Sequence, residues 1–132
     1  MRYLIILFLS TVLMFPSIAY PAVIYVPDDY PKIQLAIDAA SKGDTIIVRA
    51  GTYVENIDFL GKAVTLQSEK GPDVTIIDGN KTGSVVTFQS REGPASWLQG
   101  FTITNGEAHY GGGVNCLEST TTTLENTVRD NG

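Results

Sequence analysis

Two nine-residue stretches, Val64–Pro72 and Val86–Pro94, share the pattern Val-Thr-x-Gln-Ser-x-x-Gly-Pro at a separation of 22 positions. Internal repetition at such a period constrains the fold more than any single residue, because each repeat is one supersecondary unit that buries its apolar face against its neighbours. A second series supports it. Ile77-Asp78-Gly79, Thr104-Asn105-Gly106 and Asp130-Asn131-Gly132 place glycines 27 and then 26 positions apart, and Leu98-Gln99 aligns with Leu124-Glu125 at 26. Helical-pair repeats need longer units and a helical period. The apolar runs here are short: Thr45–Val48, Val64–Leu66, Val74–Ile77, Val85–Phe88, Leu98–Ile103 and Gly113–Cys116. Between them lie turn signals such as Ala50-Gly51, Gly61-Lys62, Gly71-Pro72, Asp78-Gly79-Asn80, Gly93-Pro94 and Asn105-Gly106. An antiparallel meander could use the same turns, but it has no reason to repeat at the length of a coil.

The repeat therefore predicts a parallel β-solenoid. In such a fold each coil lays its strands on those of the previous one, and Gly, Asn and Asp accept the positive φ that corners require. The 22-residue register predicts stacking of Leu66 with Phe88 and pairing of Glu69 with Arg91 and Lys70 with Glu92. The 26-residue register predicts Leu98 under Leu124. An open first coil would expose its core and strand edges. A helix over about 31–42 is the predicted cap, with Pro31 at its first position, Ile33, Ala36, Ile37 and Ala40 on one face, and Gly43 as its stop. Asp28-Asp29, just before it, is expected to cap the helix and complement its dipole.

Ahead of the repeats, Arg2 is the only charge before Asp28 and precedes an apolar run from Tyr3 to Phe15, followed by Pro16 and Ser17-Ile18-Ala19. That is the layout of a secretory signal with cleavage after Ala19, so residues 1–19 are expected to be an address and 20–132 the folded part. The expected location is extracellular, cell-surface or periplasmic, with no membrane span once the signal is removed. With 9 Lys and Arg against 14 Asp and Glu, net charge −5, and no clustered cations in the sequence, the chain is not a basic-patch nucleic-acid binder. The single cysteine, Cys116, excludes an intrachain disulfide and is expected to be buried and inert, the alternative being a pairing with a group outside this chain.

The segments Asp29–Ala40, Gly43–Val48 and Gly51–Ile57, with Gly100–Gly106 and Tyr110–Cys116, resemble right-handed parallel β-helix proteins of the pectin-lyase-like superfamily, a resemblance that covers essentially all of residues 23–132. The resemblance implies a single-stranded right-handed parallel β-helix, all-β, with a short N-terminal capping helix over coils from 44 to 132. The opening is also similar to pectin methylesterases through Tyr30-Pro31-x-Ile33-Gln34-x-Ala36-Ile37-Asp38-Ala39-Ala40 and Gly51-x-Tyr53-x-Glu55-Asn56. Catalysis in that family implies aspartates, an arginine and a glutamine in motifs of the Gln-Asp-Thr and Val-Asp-Phe-Ile-Phe-Gly kind. Neither motif occurs here, so no catalytic residue is assigned.

The residues offer no cofactor or metal site either. Asp58, Asp73, Asp78, Glu92 and Glu107 are scattered singly, whereas Ca²⁺ needs clustered oxygens. His109 sits in a loop without an evident partner, and Gly111-Gly112-Gly113 lacks the Lys-Ser/Thr of a phosphate loop. Thr120–Thr123 reads as strand entry, and Asn80-Lys81-Thr82 fits a glycosylation acceptor. Trp97 and Tyr110 could stack on sugar rings, and Trp97 could equally pack in the core. The expected function is a secreted β-helix that meets extracellular polysaccharide. The alternatives are a carbohydrate esterase, lyase or hydrolase whose catalytic coils lie beyond 132, and a structural stalk or adhesin. About four coils fit in the chain and no terminal cap is evident, so further coils or domains of the same protein are expected downstream.

Overall fold

The computed structural model describes residues 20–132, with the side chains of Thr122 and Leu124 left undescribed. The expected signal, residues 1–19, lies outside the described residues. In chain order the elements are β1 (Val23–Val26), α1 (Ile33–Ala39), β2 (Thr45–Val48), β3 (Gly51–Val54), β4 (Ile57–Asp58), β5 (Thr65–Ser68) and β6 (Thr75–Asp78). They continue with β7 (Val86–Phe88), β8 (Trp97–Gln99), β9 (Thr102–Thr104), β10 (Val114–Cys116), β11 (Thr122–Leu124) and β12 (Thr127–Val128). The strands pair in parallel into three sheets: A, in the order β1-β2-β5-β8-β11; B, β12-β9-β6-β3; and C, β10-β7-β4. From β2 onward the chain visits A, B and C in turn, which makes a β-solenoid of about four turns.

Alternating burial follows from the period of two in a strand. Ile46 and Val48 are buried on β2 while Thr45 and Ile47 are half-buried. Across sheet A the inward column is Ile46, Leu66, Leu98. Sheet B contributes Ile77 and Ile103, and sheet C Ile57 and Val86. Phe59 and Phe88 meet between coils with ring centroids 4.2 Å apart and planes tilted by 35°. The two rings are in close contact, so each fills space left by the other in the core.

The 22-residue repeat is real in sequence but is not the coil register. β5 lies on sheet A opposite β8, with Thr65 beside Trp97, 32 positions on. β7 lies on sheet C, between β4 and β10. Leu66 therefore stacks on Leu98, and Phe88 on Phe59, instead of Leu66 on Phe88. The shared nine residues encode a strand and the turn that ends it, and the solenoid uses that unit on two different faces. The charge pairs of that register fail with it: Glu69 binds Arg49, and Glu92 is buried at a corner. Leu98 faces Thr123 rather than Leu124. The glycine series fares better, since Gly132 N donates to Gly106 O at 2.9 Å, one coil of 26 positions apart.

The helix caps the first coil as expected, with Ile33, Ala36 and Ile37 buried, but it is shorter than 31–42 and differently held. Asp28 and Asp29 do not cap it. Asp28 pairs with Arg49 at 2.9 Å, and Asp29 accepts the Tyr25 amide at 2.7 Å. The cap comes from the next coil: the Glu55 carboxylate accepts the amides of Ile33 at 2.9 Å and Gln34 at 3.0 Å. At the other end Lys62 Nζ donates to the carbonyls of Ile37 at 2.8 Å and Asp38 at 2.7 Å. Each charge suits the end of the helix dipole it meets. The Gln34 side chain takes the place of a missing strand, accepting from Asp58 N at 2.8 Å and donating to Asp58 O at 3.0 Å, which satisfies the outer edge of sheet C. Glu55→Ala leaves two amides at the helix start without acceptors and is expected to destabilise the fold by about 2 kcal/mol. Chemical denaturation of the two proteins checks this; an unchanged midpoint contradicts the cap.

Candidate functional site

Sheet A turns two outward columns to solvent. One runs Val23, Thr45, Thr65, Trp97; the other runs Tyr25, Ile47, Gln67, Gln99. Neighbouring positions in each column are about 4.8 Å apart, the spacing of paired strands. The face is thus mixed: Val23, Tyr25 and Ile47 lie toward the β1 end, and Thr65, Gln67, Trp97 and Gln99 form a patch of one hydroxyl, two amides and an indole on β5 and β8. Trp97 is 38% exposed, so the ring is half in solvent and not a core residue. It lies beside Thr65. At the end of these strands the chain turns toward sheet B around a cleft of about 230 Å³, lined by Gln67, Ser68, Glu69, Gln99 and Glu125 among others.

One edge of the face is fixed by a charged node. The Arg49 guanidinium bonds both oxygens of Asp28, at 2.9 and 3.0 Å through Nε, and also pairs with Glu69. It lies 4.8 Å from the centre of the Tyr25 ring, within cation–π range. The Arg49 contact holds the Asp28 carboxyl below its usual range, while Asp28 pushes the Arg49 pKa up. Planar guanidinium geometry suits this several-sided contact. Arg49 joins the Tyr25 and Asp28 segment to the turn after β5, which orients the end of the face where Gln67 sits.

The other residues singled out in the sequence do not converge on a site. Tyr110 is 84% exposed and His109 is exposed in the same loop, away from the sheet A columns. Asn80 is exposed at a turn, and its amide donates to Asp78 at 2.8 Å. Cys116 is exposed rather than buried, on β10 in register with Phe88 of β7. Loss of hydration around the thiol and the nearby Glu92 charge push its pKa up, which reduces the thiolate that would react. Among the described residues no three His, Cys, Asp or Glu side chains are grouped as metal ligands. No described helix is long and apolar enough to cross a membrane.

Glu92, one of the scattered acids, is the exception in burial, at 1% exposure. Its carboxylate accepts Gly61 N at 2.7 Å, Ser90 N at 3.0 Å and Ser119 Oγ at 2.6 Å, tying together turns from three successive coils. Burial pushes its pKa up, but the Ser119 hydroxyl and the amides outweigh burial and the net displacement is downward. Asp44 is also displaced downward, by the amides of Ser41 and Ala22. Asp28, Asp44 and Glu92 are therefore acceptors that stay ionised, not proton donors of the kind a glycosidase acid must be. Comparisons with protein-family models, curated proteins and solved structures find no match to the chain.

Proposed function

We propose that the protein is a secreted or cell-surface β-helix of the pectin-lyase-like type that binds extracellular polysaccharide on the outer face of sheet A. The observation that carries this reading is the ladder on that face, where exposed Trp97 lies beside half-buried Thr65 and half-buried Gln67 beside half-buried Gln99. A sugar ring presents an apolar face to an aromatic and hydroxyls to amides and side-chain hydroxyls, and the ladder supplies both at regular spacing. The fold supplies rigidity, since each side chain is held by strands paired on both sides, so little order need be gained on binding. The apolar run ahead of residue 20, with its small residues at 17 and 19, supports export.

Affinity electrophoresis through gels containing neutral or acidic polysaccharides tests this reading. Migration of the protein is expected to be retarded by at least one of them. Trp97→Ala is expected to weaken that retention by about tenfold, the scale of a central aromatic anchor. Because Trp97 is partly exposed, the variant should keep its fold, which circular dichroism checks. No retardation by any polysaccharide, or full retention by folded Trp97→Ala, would sink the assignment.

A further inference from the structure

The corner where sheet C leads into sheet A carries a groove of about 630 Å³ that spans three consecutive passes of the chain. Its walls come from the segment after α1 (Ser41, Lys42), the turn after β4 (Gly61, Lys62) and the loop after β7 (Arg91, Gly93). Three of the chain's nine Lys and Arg thus line one groove, in a protein of net charge −5, and no carboxylate is among the lining residues. The cations are separated in sequence by 20 and 29 positions, so only coiling gathers them.

The three are not equivalent. Lys62 spends two of its three N–H donors on Ile37 O and Asp38 O, which fixes the ammonium and leaves one donor. Lys42 and Arg91 are exposed and make no side-chain hydrogen bond or ion pair among the described residues. The acids nearest in sequence are already engaged. Glu92 is turned to Gly61, Ser90 and Ser119, Asp44 to Ala22 and Ser41, and Asp38 accepts from Gln34. These carboxylates keep their charge, but they are turned to donors of the turns around them and none lines the groove, whose charged side chains are all positive.

We propose that this corner groove is an oxyanion-binding site, taking a ligand with two or more negative charges on sulfate, phosphate or carboxylate oxygens. Lys42 and Arg91 make the direct charge-assisted contacts, and Lys62 contributes its remaining donor from a fixed position. The site uses none of the residues of the sheet A ladder, so it stands or falls separately from polysaccharide binding there. Such a ligand is either a free inorganic anion or a charged group on a polymer, and two probes separate these sources.

The test is calorimetric titration with inorganic sulfate and with dextran sulfate, using neutral dextran as the blank. Binding of at least one charged probe is expected, weakening by about tenfold or more between 50 and 200 mM salt as counterion release and screening require. The double variant Lys42→Gln/Arg91→Gln is expected to lose at least about tenfold in affinity, while Lys81→Gln/Arg129→Gln, which removes the same charge elsewhere, stays within about twofold. Binding of sulfate itself assigns the site to a free anion; binding of the polymer alone assigns it to a charged glycan. No binding of either probe, or equal loss in both double variants, overturns the proposal. Both variants replace exposed side chains, so loss of folding is not expected, and matched thermal melts verify that.

Discussion

Gly106→Ala is expected to destabilise the protein by about 3 kcal/mol, the upper part of the usual range for overpacking, or to prevent it from folding. A Cβ at position 106 would collide with the carbonyl of Gly112 and lie 2.9 Å from Asn131 Oδ1. Neither neighbour is free to withdraw. Gly112 O accepts the Val85 amide at 3.0 Å, and Asn131 Oδ1 accepts the Gly106 amide at 2.7 Å. Gly106 itself accepts from Gly132 N, so its own backbone is pinned to the next coil. Gly93→Ala is the matched control, because a Cβ there meets nothing within 4 Å. Its stability should stay within about 0.5 kcal/mol of wild type. Urea denaturation of the three proteins gives the comparison, and a Gly106→Ala protein as stable as Gly93→Ala would refute the close coil contact.

Glu92→Gln is expected to cost about 3 kcal/mol at neutral pH, since a buried charged acceptor of three donors is replaced by an amide whose NH₂ must face one of them. The pH dependence gives a second readout. The carboxyl has a lower pKa in the folded protein than in the unfolded chain, so its stabilisation is complete above the unfolded glutamate pKa of about 4.3 and is lost as pH falls through the folded value. Wild-type stability should thus fall steeply below about pH 4. Glu92→Gln should be weaker at pH 7 and should show a shallower decline on acidification. Denaturation midpoints from pH 7 to pH 3 separate the outcomes; parallel curves for the two proteins would mean that Glu92 is not the acid-sensitive staple of that corner.

Much of the solenoid was legible in the sequence because local chemistry repeats. Short β-branched runs, corner glycines and the Ile33, Ala36, Ile37 stripe each specify a local conformation, and all of them reappear. The register was not legible from the strongest repeat, since Val64–Pro72 and Val86–Pro94 share a strand-and-turn unit while coil length varies. In sheet A the steps between paired positions are 22, 20, 32 and 25. Leu98–Ile103 read as one apolar run but is two strands on different sheets, split where Gly100 turns at φ +82°.

The candidate sites were less legible for the same reason. Glu55 and Lys62 reach the helix, and Gln34 reaches from it to Asp58, across 20 or more positions. Glu55 and Gln34 had a hint, as parts of the Gly51-x-Tyr53-x-Glu55-Asn56 and Tyr30-Pro31-x-Ile33-Gln34 patterns, while Lys62 had none. Lys42, Lys62 and Arg91 look like isolated surface cations until the coils bring them to one corner. Trp97 beside Thr65 needs the 32-residue step, which no periodicity in the sequence announces.

That step is where the fold and the proposed binding face meet, and proton–proton contacts measured by NMR on the isotopically labelled protein test it most directly. Contacts between the backbone protons of Thr65–Gln67 and those of Trp97–Gln99 are the predicted result, placing the indole beside the threonine ladder. Contacts from Thr65–Gln67 to Thr87–Gln89 instead would restore the 22-residue register, move Trp97 off the face and contradict the account.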